Sequence, residues 1–398
     1  MSLRIAFLGS RGIPARYSGF ETFYEQLGAR LAARGHEVTV YNRRHFIKDV
    51  SGQYRDMRLV SLPAIRTKHL ETISHTFLST FHALTQHYDI VYYCIVGNSP
   101  LVWIPRLAGS RVLLNVDGQD WARAKWGRFA RAYQRGCERI AIRTAQVLIA
   151  DAKVIQRRYQ ELYGAATIFV PYGANVARDE GTDVLQRWGV LPRRYLFYVG
   201  RFVPENCIDL LIRAFLQLRT DMKLVLVGDA PYADAYRETL RQLANDRVVF
   251  TGYAFGRDYA QLSSHAYAAI QPSAVDGTRP ALLDQLGFGN CVLVRNSPAN
   301  AEVVSDCGIY FDAENPETDL PAKLQQLIDQ PATAETYRSR AASRINAYYQ
   351  WDWITAFYED LFTRMKQGIP LLSYDDFLQQ VRRPSSASSP TGDTMAQP

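Results

Sequence analysis

Between residues 277 and 284 the chain reads Gly277-Thr-Arg-Pro-Ala-Leu-Leu-Asp284, which places a flexible backbone, a guanidinium and a carboxylate within one short segment. Pro280 suits the first turn of a helix, where a missing N–H costs nothing, so the amides of Gly277, Thr278 and Arg279 are expected to converge on the helix entrance. Partial positive charge from the helix, reinforced by Arg279, suits a pair of phosphates. Asp284, one turn further in, is placed to accept hydrogen bonds from ribose or sugar hydroxyls. The chemistry expected of such a segment is the grip of a nucleotide diphosphate that carries a sugar.

Such a helix entrance needs a strand to deliver it, and Tyr267–Gln271 is the apolar run just before. Strand-like runs alternate with helix-length amphipathic segments along most of the chain, which predicts an α/β fold with parallel sheets covered by helices on both faces. The first series of predicted strands is Leu3–Leu8, Glu37–Tyr41, Met57–Leu62, Asp89–Ile95, Arg111–Val116, Val147–Ala150 and Thr167–Val170. A second is Tyr195–Gly200, Lys223–Gly228, Val248–Gly252, Tyr267–Gln271, Cys291–Arg295 and Ile309–Phe311. Between the two series, turn formers and polar residues mark a linker. The expected organisation is a first domain over 1–175, a linker over 176–192, a second domain over 193–347, helices over 348–381 and a disordered tail over 382–398. The tail is Ser/Pro-rich with few bulky apolar groups.

Length and composition agree with two globular domains: 398 residues, 47% hydrophobic and 21% charged. The most apolar window, Ile90 to Pro105, is interrupted by Gly97-Asn-Ser-Pro100 and falls short of a membrane span. The apolar run after Met1 is too short for a signal peptide, so a cytoplasmic location is expected. Five cysteines are scattered without C-x-x-C spacing, which argues against both a disulfide framework and a zinc site. The net charge of +7 is uneven. Residues 1–185 hold 25 Lys+Arg against 15 Asp+Glu, a balance of +10, and the remainder holds 21 against 24, or −3. A basic first half points to an anionic partner such as a lipid phosphate or membrane surface.

Two further segments carry chemical signals. The loop Gly9-Ser-Arg-Gly-Ile-Pro-Ala-Arg-Tyr-Ser-Gly-Phe-Glu-Thr22 follows the first strand, and its glycines, Gly19 included, let backbone approach a ligand closely. Its spacing is not G-x-G-x-x-G, and the second strand ends in Tyr41-Asn-Arg-Arg44 without a ribose-binding acid, so among dinucleotides only a 2′-phosphorylated one would suit it. From Trp121 to Arg143, arginines and one lysine interleave with Trp126, Phe129 and Tyr133, and Arg128, Arg131, Arg135 and Arg139 share one helical stripe. The stripe is either a solvated helix face or a surface that rests on anionic lipid headgroups. No D-x-D motif and no metal-binding histidine cluster occurs, and neither a metal nor any other cofactor is expected.

These segments together resemble the retaining glycosyltransferases of the two-Rossmann-domain (GT-B) type, family 4, and within it the bacterial rhamnosyltransferase-like branch of cell-surface polysaccharide assembly. The resemblance rests on Gly9–Thr22, Gly35-His-Glu-Val-Thr-Val-Tyr41, Asn115–Trp126, Pro171-Tyr-Gly-Ala174, Val199-Gly-Arg-Phe-Val-Pro-Glu-Asn206, Gly277–Asp284 and Glu302–Phe311, and extends to about residue 365. It implies two Rossmann-like domains, with a C-terminal helix around Trp351 and Trp353 crossing back to the first. It also implies a dTDP- or UDP-linked sugar donor held mainly by the second domain, a lipid-diphosphate-linked saccharide as acceptor, and no nucleic-acid partner.

Site roles follow from the same resemblance. Arg201 matches the diphosphate-binding arginine, whereas the usual lysine five residues on is Asn206; Arg279 is the residue that would restore the missing cation. The family's two glutamates, with seven residues between them, become Asp276 and Asp284. Asp284 is expected on the ribose, and Asp276 is either a donor-sugar contact or a solvated loop acid. Asp117 stands where many members have a histidine that meets the donor's C6 hydroxyl. Its loss agrees with a 6-deoxy sugar, and the carboxylate is placed either to act on the acceptor hydroxyl or to hold loop amides. Catalytic roles are thus expected for Asp117, Arg201 and Arg279, and donor contacts for Gly19, Asn206, Asp276, Gly277, Thr278 and Asp284. Two other classes share some of these features: a donor-binding subunit without activity, and an NADP-dependent oxidoreductase.

Overall fold

Runs such as Ile90-Val-Tyr-Tyr-Cys94 are apolar at every position because both of their faces are buried, the signature of a parallel sheet sandwiched by helices. A computed structural model describes residues 2–16, 19–50, 52–67, 70–116, 128–230, 233–275 and 277–382. The first sheet is built from β1 (Arg4–Leu8), β2 (Glu37–Arg43), β3 (Gly52–Tyr54), β4 (Met57–Leu62), β5 (Ile90–Cys94), β6 (Arg111–Asn115), β7 (Val147–Ala150) and β8 (Ile168–Phe169). Its order is β3-β4-β2-β1-β5-β6-β7-β8, parallel except for the β3–β4 hairpin. The second sheet contains β9 (Tyr195–Val199), β10 (Lys223–Val227), β11 (Val248–Gly252), β12 (Ala268–Gln271), β13 (Val292–Arg295) and β14 (Ile309–Phe311), in the order β11-β10-β9-β12-β13-β14 and parallel throughout.

The helices in chain order are α1 (Gly19–Ala33), α2 (Glu71–Leu84), α3 (Arg128–Thr144), α4 (Lys153–Tyr163), α5 (Asp183–Arg187), α6 (Ile208–Leu216), α7 (Asp234–Leu243), α8 (Gly256–Ser264), α9 (Pro280–Gly287), α10 (Pro298–Val304), α11 (Pro316–Asp329), α12 (Pro331–Arg344), α13 (Trp351–Gln367) and α14 (Tyr374–Arg382). Every predicted strand is present within a residue or two of its expected bounds. The hairpin strand β3 was not expected; its three residues carry no buried apolar alternation to announce it. Short 3₁₀ turns over Val96–Leu101 and Ile104–Ala108 occupy the window broken by Gly97 and Pro100.

In each sheet the chain order reverses between two neighbouring strands: β1 and β5 in the first, β9 and β12 in the second. Loops leaving the carboxyl ends of such a pair diverge, which opens a crevice there. The loops after β9 and β12 are Gly200–Cys207 and Pro272–Arg279, the two segments singled out by their chemistry.

The helix expected to cross back does so. Helix α13 follows the second domain in sequence, yet Ile354, Phe357, Tyr358, Leu361 and Phe362 are buried in one cluster with Phe7, Phe23 and Tyr92 of the first. The Tyr358 and Phe23 rings meet edge-on at 5.5 Å, and the Tyr358 and Tyr92 hydroxyls are 3.2 Å apart. Charge fixes the outer side: Glu359 takes Arg34 at 2.8 Å and His36 at 3.0 Å, and Lys366 pairs with Asp89. Removing a buried aromatic side chain costs about 3–5 kcal/mol. Phe362→Ala is therefore expected to destabilise the whole chain by about that amount in denaturant unfolding, and a loss below about 1 kcal/mol would contradict the placement of α13 in the first domain's core.

Candidate active site in the interdomain cleft

Arg201 opens the loop that follows β9. Among the described residues its guanidinium has no hydrogen bond or ion pair, while its carbonyl accepts the Asn206 side-chain amide at 2.7 Å. Asn206 Oδ1 lies 3.2 Å from Ser273 Oγ, and the Glu205 carbonyl accepts from Ala274 N at 3.0 Å. The loops after β9 and β12 are thereby tied side to side. Asn206, the residue in place of the usual lysine, acts here as a bridge between two pieces of backbone and contributes no charge.

Arg279 caps the bridge. Its Nη2 donates to Ser273 Oγ and to the Val275 carbonyl, and its Nη1 lies 3.5 Å from the Gly277 carbonyl. Burial raises the pKa of the Tyr198 hydroxyl at the end of β9, and the Arg279 and Arg201 guanidiniums both act to lower it. Gly277 adopts φ +135°, a conformation closed to most side chains, although a Cβ would meet nothing within 4 Å; the requirement is conformational. The amides of Gly277 and Thr278 donate to no group among the described residues and lie at the entrance of α9, as the residue order predicts.

Thr278 does more than offer its amide. Its buried hydroxyl donates to the Asp151 carbonyl of the first domain at 2.7 Å. Close by, Gly19 starts α1 against Pro280, where a Cβ would come within 2.9 Å of the proline Cγ. Two helix entrances, one from each domain, therefore face the same gap, and only glycine at 19 allows this approach. A third contact spans the cleft: Glu302 of α10 accepts from Lys153 N, the first amide of α4, at 2.7 Å. Burial pushes the Glu302 carboxyl up to about 7.

Asp284 lies one turn into α9, partly exposed, with Tyr259 Oη donating to it at 3.3 Å. Removal from bulk water pushes its pKa up to about 7, and the bond from Tyr259 offsets this only in part. Gln285 holds Tyr259 in turn, through Nε2 to Oη at 3.2 Å. Neither Tyr259 nor Ser273, Asp151 or Glu302 was assigned a role from the sequence. Glu302 opens a segment matched in the resemblance, but the other three carry no local signal. Asp117 and Asp276 lie outside the described residues, as do Trp121–Trp126.

Across the cleft, the ends of β1 and β2 hold a buried ionic cluster. Arg43 pairs with Glu71 at 3.3 Å and His45 meets the same carboxylate at 2.6 Å. Burial alone would raise the Glu71 pKa, but Arg43, His45 and Arg11 together hold it low. Arg43 is thus committed to an internal partner, which leaves the exposed Arg44 as the only one of the two arginines at the end of β2 open to a 2′-phosphate. No group of residues able to hold a metal ion occurs among the described residues, and none of their helices is long and apolar enough to cross a membrane.

Residues 193–330, which carry Arg201, Asn206 and the 277–284 segment, match the family described as glycosyl transferases group 1, and residues 95–175 match a domain of unknown function, DUF1972. An uncharacterized glycosyltransferase, YqgM, of Bacillus subtilis is 27% identical over 201 residues, 49% of this chain and 55% of its own; the match spans about half that relative's length. A GDP-mannose-dependent alpha-(1-6)-phosphatidylinositol monomannoside mannosyltransferase of Mycolicibacterium smegmatis is 26% identical over 347 residues, covering 81% of this chain and 84% of that one. The structure of Anabaena Alr3699/HepE in complex with UDP-glucose superposes with a TM-score of 0.75 at 19% identity over 91% of this chain and 99% of that one.

The raised pKa of Asp284 makes a test of the site's electrostatics. Between its ordinary value near 3.8 and the folded value near 7, the folded state holds a proton that the unfolded state has lost, so the wild type loses stability as pH rises through that window. Asp284→Asn should therefore melt higher than wild type at pH 8, with the gap narrowing towards pH 5; parallel melting curves across that range would refute the raised pKa of this carboxyl. The chain has the two-domain GT-B glycosyltransferase fold, and its second domain matches group 1 of those enzymes.

Proposed function

We propose that the protein is a retaining hexosyltransferase that moves a sugar, rhamnose or a related hexose, from a dTDP- or UDP-linked donor to a lipid-diphosphate-linked saccharide in cell-surface polysaccharide assembly. The observation that carries the reading is the convergence of Arg201, the α9 entrance at Gly277–Thr278 and Asp284 at the reversal between β9 and β12, within the segment matched to group 1 transferases. In this reading the donor diphosphate lies against Arg201 and the amides of Gly277 and Thr278, with Asp284 on the ribose. Arg279 is the second cation, reached by exchanging its bonds to Val275 and Ser273 for the phosphate. Asn206 and Ser273 hold the loops in register, and Gly19 admits the donor's approach from the first domain.

Departure of the sugar builds negative charge on the diphosphate. Fixed donors in a closed cleft stabilise that charge without reorganisation, and the same role that a metal would fill is assigned to guanidinium and helix amides. Front-face attack, in which the leaving phosphate takes the acceptor proton, retains the anomeric configuration. Asp117 is assigned to the acceptor hydroxyl and Asp276 to the donor sugar. Closure across the Thr278–Asp151 and Glu302–Lys153 contacts excludes water and so limits donor hydrolysis. Two named relatives support the substrate classes: one takes a GDP-sugar and a phosphatidylinositol-linked acceptor, and the other binds UDP-glucose.

Incubation with dTDP-rhamnose, UDP-glucose and GDP-mannose, each with and without a polyprenyl-diphosphate saccharide and in the presence of EDTA, tests the whole reading. The expected product is an extended lipid saccharide with retained configuration from one donor; nucleotide binding without product from any of them would leave a donor-binding subunit instead. Arg201→Ala should weaken nucleoside diphosphate binding by roughly tenfold to a hundredfold, the scale of one charge-assisted contact. Arg279→Asn should weaken it as well, by about tenfold, as read by titration calorimetry; unchanged affinity would show that its bonds within the loop are its only function.

A further inference from the structure

Helix α2 is amphipathic in the wrong sense for a covering helix. The side chains it turns inward are polar: His75, Thr76, Ser79 and Thr80 are fully buried. Their hydrogen bonds are internal, with Thr76, Ser79 and Thr80 each donating to the carbonyl four residues earlier and His75 Nε2 3.0 Å from the Asn42 carbonyl. Its outward side is apolar. Phe77, Leu78 and Phe81 are 48%, 40% and 46% exposed, and the two phenyl rings pack on each other at 4.6 Å. Folding of this domain gives no reason to keep these rings in water, and a contiguous exposed apolar patch marks an interaction surface.

The patch continues onto the neighbouring turn, where Trp103 and Leu107 are 46% and 73% exposed. That turn lies between α2 and α3: Arg106 donates to the Thr144 carbonyl at the end of α3, and Ser99 Oγ to the Cys137 carbonyl. Helices α2 and α3 cover the same face of the first sheet, since Ala83, Cys137 and Ala141 share one buried cluster. The outer side of α3 carries Arg128, Arg131, Arg139 and Arg143, all exposed. None of these four arginines forms an ion pair with an acid among the described residues. Among the described residues from 70 to 144 the acids are Glu71, Asp89 and Glu138, and each is bonded to a cation of its own domain or of α13.

An apolar ridge flanked by exposed arginines matches an interface between acyl chains and anionic headgroups. We propose that the outer layer formed by α2, the turn at Trp103–Leu107 and α3 docks on an anionic lipid bilayer, with Phe77, Phe81, Trp103 and Leu107 entering the headgroup boundary and the α3 arginines resting on phosphates. The purpose of this contact rests on the transferase reading above and deepens it: α2 begins at Glu71, bonded to Arg43 at the cleft end of β2, so the docked layer leads to the cleft and a lipid-borne acceptor arrives along the same surface.

Flotation of the full chain with phosphatidylcholine vesicles, with and without phosphatidylglycerol, tests the proposal. Recovery with the anionic vesicles is expected to fall on the order of tenfold in Phe77→Ser/Phe81→Ser, given the area of two rings, and by a similar factor in Arg131→Glu/Arg139→Glu or at high salt. Equal recovery with and without phosphatidylglycerol, or variants that float like wild type, would overturn it. So would a dimer by light scattering that Phe77→Ser/Phe81→Ser abolishes in a chain that binds no vesicles, because a second copy would then cover the ridge. Melting-temperature shifts with UDP and dTDP in the same variants keep the two readings apart: shifts that persist while flotation is lost leave the donor site intact, and their absence in wild type bears on the transferase reading alone.

Discussion

Two loops rise from adjacent parallel strands, β9 and β12, at the place where the second sheet changes direction, and a small set of hydrogen bonds keeps them together. Asn206 reaches from the first loop to Ser273 in the second while holding the Arg201 carbonyl, and Arg279 closes the set on Ser273 and Val275. The arrangement of charge in the cleft depends on this coupling. Without it Arg201 and the entrance of α9 would move independently, and a cation that wanders by an ångström loses most of its value to a developing charge. An amide at 206 suits this task, because it donates and accepts at once where a lysine only donates.

The first domain's contribution is steric and hydrogen-bonding more than ionic. Its cations near the cleft, Arg43 and Arg11, are engaged with Glu71, whereas Asp151 and α4 supply a carbonyl and an amide that meet Thr278 and Glu302. The facing surfaces are thus joined by contacts that are individually small. Neutral or singly charged hydrogen bonds of this kind contribute about 0.5–3 kcal/mol each, enough to define a closed arrangement and weak enough to be exchanged.

How far the sequence is legible depends on the range of the interactions involved. Strands such as β5 and β10 announce themselves through uninterrupted apolar runs, and the α9 entrance through Pro280 preceded by Gly277, since both signals are local. The partners of Thr278 and Glu302 lie 127 and 149 residues away, and nothing near either residue specifies them. Asn206 reads by type as a lost charge and proves to be a bridge only when Ser273 is beside it. Helix α2 carries an apolar periodicity that faces outward, because its inward surface is set by Asn42 and Tyr93, which accept or share the hydrogen bonds of His75 and Thr80. The basic stripe of α3 is the reverse case, visible in the sequence while its apolar neighbours on α2 and at Trp103 are not.

Helix α13 lies beyond the second domain in the chain and inside the core of the first, where Tyr358 and Phe362 complete the packing around Phe7 and Phe23. During synthesis the opening half of the protein must therefore wait. It leaves the ribosome with an uncovered aromatic hollow that stays unfilled until more than 360 residues have been translated, while the second sheet is free to assemble on its own as it emerges. The order of maturation runs against the order of the polypeptide, and the nascent N-terminal half is the stretch most in need of chaperone shelter.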